Sequence, residues 1–99
     1  MARRIVWTTI ADIIFTKILE YYCNRNKSKA YSRKLNKEIH AIVSILPKYP
    51  FIGKNTDLEN VRVLIKGDYK IFYKVSPKEI VVLLVWDTRQ NPKDFSLEI

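Results

Sequence analysis

Apolar positions keep two different periods along the chain, and the change between them divides it in two. The first half has helical spacing. Ile10, Ile14, Ile18 and Tyr21 recur at steps of three and four, flanked by Ala11, Phe15, Leu19 and Tyr22, which predicts a helix with one broad core-seeking face. Thr9 and Asp12 stand as a capping box at its start, hydroxyl and carboxylate each able to satisfy an orphan amide of the first turn. Ahead of it, Arg3 to Trp7 reads as a short strand because Ile5, Val6 and Trp7 are β-formers. The polar stretch Asn24 to Lys27 breaks the helical pattern. Ser28 is placed to cap a second helix that carries Tyr31, Leu35, Ile39, Ile42 and Leu46, completing a helical hairpin.

Leu46-Pro47 ends that helix, since the residue before proline is pushed out of the helical region. Pro50 and Gly53 continue a loop to about Glu59, a candidate for functional mobility. From Val61 the period is two. Val61 to Ile65, the turn Lys66-Gly67-Asp68, and Tyr69 to Val75 outline a meander. Tyr69, Ile71, Tyr73 and Val75 share one face of their strand, Lys70, Phe72 and Lys74 the other, and alternation alone leaves open which set meets the helices. After the turn Ser76 to Glu79, the seven apolar residues Ile80 to Trp86 predict a central strand covered on both faces. The order β-α-α-β-β-β implies an α/β (α+β) fold, a single domain over residues 1–99 with a helical hairpin on one face of a small, largely antiparallel sheet.

Composition adds charge to this picture. The 99 residues carry 18 Lys+Arg against 10 Asp+Glu, a net charge of +8, which is a large field for so small a surface and predicts an acidic partner. Six basic residues and no acids lie between Arg25 and Lys37, either a solvated helix face or a binding surface. Cys23 is the only cysteine, so no intramolecular disulfide forms and a reducing, cytoplasmic setting is expected. Neither a signal-peptide core nor a membrane-spanning stretch is present in the pattern.

Most familiar chemistries lack their residues. Cys23 and the single histidine, His40, have no ligand motif around them, so no metal is expected, and His40 reads as a helix-surface residue. Gly53 and Gly67 are too isolated to cradle a phosphate, which disfavours nucleotide cofactors, and no nucleophile elbow occurs. What remains lies on the β half: Arg62, then Lys70, Tyr73 and Lys74, then Asp87 and Arg89.

These residues carry a resemblance. Trp7, Ala11 and Tyr21, then Ala30, Leu46-x-x-x-Pro50-x-x-Gly53, Arg62, the run Tyr69 to Val75 and the ending Val85 to Pro92 are similar, in order and spacing, to the RelE/ParE superfamily of bacterial type II toxins, also described as plasmid stabilisation proteins. The resemblance covers nearly the whole chain. It implies a bacterial cytoplasmic toxin held by a cognate acidic antitoxin that folds onto its basic surface.

Two activities follow from the resemblance. RelE-like members cut messenger RNA on the ribosome, and ParE-like members bind DNA gyrase without catalytic residues. An RNA cutter needs no metal or other cofactor, since the RNA's own 2′-hydroxyl attacks. Arg62 and Arg89 would then hold the phosphate and Asp87 or a lysine would serve as general base, unless Asp87 merely pairs with Arg89. Lys54, Lys70, Tyr73, Lys74 and Phe95 would bind the RNA. The tail after Trp86 lacks the histidine or tyrosine of the nuclease branch, and Phe95 can stack a base but cannot move a proton. In the gyrase branch the helical hairpin and its basic run become the surface of interest. A non-toxic basic domain that binds nucleic acid through phosphates is the third reading.

Overall fold

The computed structural model describes residues 3–89. Five strands and two helices follow in the order β1 (Arg4–Trp7), α1 (Thr9–Asn26), α2 (Ala30–Ser44), β2 (Lys54–Asn55), β3 (Val61–Lys66), β4 (Tyr69–Val75) and β5 (Glu79–Asp87). They form one sheet in the order β1-β5-β4-β3-β2, with β1 parallel to β5 and the other pairs antiparallel. The two-residue edge strand β2 was not expected from the sequence; it lies inside the stretch predicted as loop.

The cap of α1 sits one residue earlier than the sequence suggests. Thr8, with extended backbone, accepts a hydrogen bond from the Ala11 amide at 3.0 Å, so the pair is Thr8 and Ala11 rather than Thr9 and Asp12. Lys27 closes the helix in the left-handed region at φ 50°, its N–H donating to the Cys23 carbonyl. Lys29 is the residue before α2, and Ser28 assists by accepting from the Ala30 amide at 3.2 Å.

The face of α1 also differs from expectation by one position. Ala11, Phe15, Ile18 and Tyr22 are buried, while Ile10, Ile13 and Tyr21 lie exposed. From α2 the core takes Leu35, Ile39 and Val43, followed by Leu46 in the turn beyond its end. Ser32 ties the helices together, its hydroxyl donating to the Leu19 carbonyl at 2.7 Å.

The helices cover the face of β4 that carries Tyr69, Ile71 and Tyr73, which settles the alternation: Lys70, Phe72 and Lys74 take the other face. On β5 the covered residues are Ile80, Val82 and Val85. The step of three arises at a register shift between Phe72 and Tyr73, where Phe72 pairs with Leu84 but Tyr73 with Val82. This bulge reverses the alternation downstream, so Asp87, aligned with Tyr69, joins the helix-covered face. Gly67 turns the hairpin between β3 and β4 at φ +58°, a conformation that glycine adopts without strain.

Candidate functional site

The predicted site residues fall into three separate groups. At the end of β5, Asp87 has no exposed surface. Its Oδ2 accepts from the Tyr22 hydroxyl at 2.7 Å and from Arg89 Nη2 at 3.2 Å. Its Oδ1 accepts from the Arg89 backbone amide at 2.9 Å and from Arg89 Nε at 3.1 Å. Arg89 Nη2 also donates to the Tyr69 hydroxyl at 2.7 Å and the Tyr31 hydroxyl at 3.3 Å, and the guanidinium lies over the rings of Tyr22 and Tyr69. Burial alone would raise the Asp87 pKa; the hydrogen bonds from Arg89 and Tyr22 outweigh it and hold the carboxyl below its ordinary value. Burial and the bond to Asp87 push Tyr22 up to about 12. Asp87 therefore pairs with Arg89, the plainer of its two sequence readings, and neither carboxylate oxygen faces solvent.

The second group lies at the other end of β4. Tyr73, expected to touch RNA, is wholly buried and cannot do so. Its hydroxyl donates to the Pro50 carbonyl at 2.8 Å and accepts from the Gly53 amide at 2.9 Å. Arg62, aligned with Tyr73 on the same face, donates through Nη1 to the carbonyls of Gly53 at 2.7 Å and Phe51 at 3.1 Å, with its guanidinium over the Phe51 ring at 5.0 Å. The segment expected to be mobile is thus pinned at Pro50, Phe51 and Gly53.

Arg62 and Arg89 do not converge. Arg62 aligns with Tyr73 and Asp87 with Tyr69, four residues apart along β4, or roughly 13 Å at strand rise. Each guanidinium is also held at its own end, Arg62 on the Phe51 and Gly53 carbonyls and Arg89 on Asp87, Tyr69 and Tyr31. Lys54, Lys70 and Lys74 form the third group, on the sheet face away from the helices and hence away from both arginines. All three are exposed. Phe95 lies outside the described residues. Among the described residues no cluster of three or more potential metal ligands forms, and no helix is long and apolar enough to cross a membrane.

Sequence reasoning missed Tyr22, Tyr31 and Asp68 around Arg89, the last 3.7 Å from Nη1. One signal was available. A tyrosine within an apolar helix stripe, as Tyr22 is, buries a hydroxyl that must find a partner.

The site thus sits on a pair of helices packed on a five-stranded mixed sheet. Residues 5–92 match the family model of the ParE toxin of the type II toxin-antitoxin system parDE, and the chain belongs to that family. Among solved structures it is similar to the chromosomal ParDE toxin-antitoxin system from P. aeruginosa, at 20% identity and a TM-score of 0.74, covering 85% of this chain and 94% of that one. It is also similar to the RelBE2 toxin-antitoxin complex from Mycobacterium tuberculosis, at 18% identity and a TM-score of 0.57, covering 86% and 96%. At these identities the likeness speaks for the fold. No curated protein matches the sequence.

Proposed function

We propose that this toxin arrests growth by binding DNA gyrase, without cutting RNA, and that a cognate acidic antitoxin neutralises it. The observation that carries the choice is the state of Asp87. A general base must come within hydrogen-bond reach of the proton it removes. Asp87 has no exposed surface, and its oxygens already accept four hydrogen bonds. The separation of the arginines supports the same reading, since phosphorane stabilisation needs its cations aimed at one point. The three lysines of the far sheet face supply charge, but no arginine of either group stands beside them.

The antitoxin reading rests on the family, on the solved ParDE and RelBE2 complexes, and on charge. A net charge of +8, with six basic residues and no acids between Arg25 and Lys37, suits an acidic segment that folds on binding.

The test is inducible expression in a bacterium with growth recorded, new messenger 5′ ends mapped, and gyrase supercoiling assayed with purified protein. Growth arrest, rising DNA-damage signalling, unchanged 5′ ends and loss of supercoiling are expected. New in-frame cuts would return the nuclease reading, normal supercoiling at saturating toxin would remove gyrase, and harmless expression would leave a nucleic-acid-binding domain.

A further inference from the structure

The stretch from the end of α2 to β2 combines two properties that seldom coincide: its backbone is pinned and its apolar side chains point outward. Tyr49 is 52% exposed, Phe51 61% and Ile52 48%. Flexible loops usually carry polar side chains, and exposed apolar groups that lie together mark interaction surfaces. Here the carbonyls of Pro50, Phe51 and Gly53 and the Gly53 amide are all held, by Tyr73 and Arg62. Backbone turns at Lys48, Tyr49 and Ile52 fix the approach. Gly53 is required for this closeness, since a Cβ there would lie 2.6 Å from the Tyr73 hydroxyl and 2.9 Å from the Val63 carbonyl. A surface ordered before binding loses little entropy on binding.

We propose that the Tyr49–Ile52 loop is the surface with which the toxin docks onto gyrase, Phe51 entering an apolar pocket on the enzyme with acidic groups at its rim. The inference rests on the gyrase reading above and deepens it. Charge specifies the rim: residues 45–56 contain Lys48 and Lys54 and no acid, and Arg62 stands beneath Phe51. Position separates this surface from the basic run suited to the antitoxin. That run ends at Lys37, halfway along α2, and the loop lies past the helix end at Ser44, roughly 10 Å further along the helix axis. Arg62, expected to hold a phosphate, and Tyr73, expected to bind RNA, are on this account positioning residues that hold a docking loop.

The experiment measures gyrase binding and supercoiling inhibition by purified toxin and four variants, with circular dichroism and melting as fold controls. Phe51→Ser should weaken binding about thirtyfold, as a buried aromatic anchor does. Ile52→Ser should weaken it less, and Phe51→Leu should keep most of the affinity. Phe51→Ser and Ile52→Ser that both inhibit like the wild type would overturn the loop assignment while leaving the gyrase reading intact. Loss with Ile13→Ser, on the exposed face of α1, in place of loss at the loop would overturn it in favour of the helical hairpin. A wild-type toxin that neither binds nor inhibits gyrase would overturn the reading itself and the loop proposal with it, before any variant is compared.

Discussion

A carboxylate without exposed surface keeps its charge only where donors replace water, and Asp87 has four such hydrogen bonds, from Tyr22 and Arg89. Replacing it by asparagine leaves the Arg89 guanidinium without its countercharge and sets an amide N–H₂ against donors. Asp87→Asn should cost about 2 kcal/mol at neutral pH, toward the low end of such losses because the Arg89 side chain is 43% exposed. The sign of the pH effect follows from the lowered carboxyl pKa. The unfolded chain binds the proton more readily than the folded one, so the stabilisation is full above the ordinary carboxylate value and fades as pH falls through the folded value. Urea unfolding should therefore show the gap between wild type and Asp87→Asn narrowing from about pH 5 downward. A gap that stays constant into acid would mean that Asp87 is not an ionised acceptor. The sequence alone left this carboxylate between two roles, and the reason is physical. Strict alternation from Ile80 places residue 87 on the open face; only the bulge opposite Phe72 and Tyr73 turns it toward Tyr22, and a bulge within seven consecutive apolar residues leaves no trace in their pattern.

The connection from α2 through β2 shows how a strand residue can organise a loop. Tyr73→Phe keeps the ring in the core but removes the hydroxyl that serves both the Pro50 carbonyl and the Gly53 amide. Two buried backbone groups then lack partners, at a cost of about 2 kcal/mol. Limited proteolysis with mass-spectrometric mapping should find faster cleavage near Pro50 to Gly53 in the variant and little change elsewhere. Gly53→Ala should also destabilise, by about 1–3 kcal/mol, because the Val63 carbonyl is backbone and cannot move aside. Equal cleavage rates in wild type and Tyr73→Phe would show that the hydroxyl does not hold the loop. At this scale the sequence was legible wherever period and turn chemistry were strong: both helices, the three meander strands and the Gly67 turn. It was illegible where two answers had equal pattern strength. In α1 the stripes through Ile10 and Ala11 overlap, and packing against the sheet chose the second. β2 has two exposed residues and no period to detect.

Charge and apolar exposure act at different stages of association, which allows the whole molecule's surface to be tested by kinetics. Much of the positive charge lies on the basic run from Arg25 to Lys37, the three lysines of the sheet face away from the helices and the rim of the docking loop. Long-range attraction of this kind raises the encounter rate and is screened within about 10 Å at 0.1 M salt. Desolvated contact by Phe51 is felt only after docking, so it governs escape. For toxin binding to gyrase, the association rate should fall on the order of tenfold between about 0.05 and 0.3 M salt, with the dissociation rate nearly constant. Lys48→Glu should lower the association rate and flatten its salt dependence, whereas Phe51→Ser should raise the dissociation rate at every salt concentration. Stopped-flow mixing resolves both rates. Salt acting mainly on dissociation would mean that the lysines and arginines are buried in the complex as ion pairs, and the basic sheet face would then replace the loop as the holding surface. The predicted division of labour therefore follows from where the fold puts its residues: the exposed lysines remain in solvent, where they steer, and Phe51, the most exposed aromatic of the pinned loop, is free to be buried.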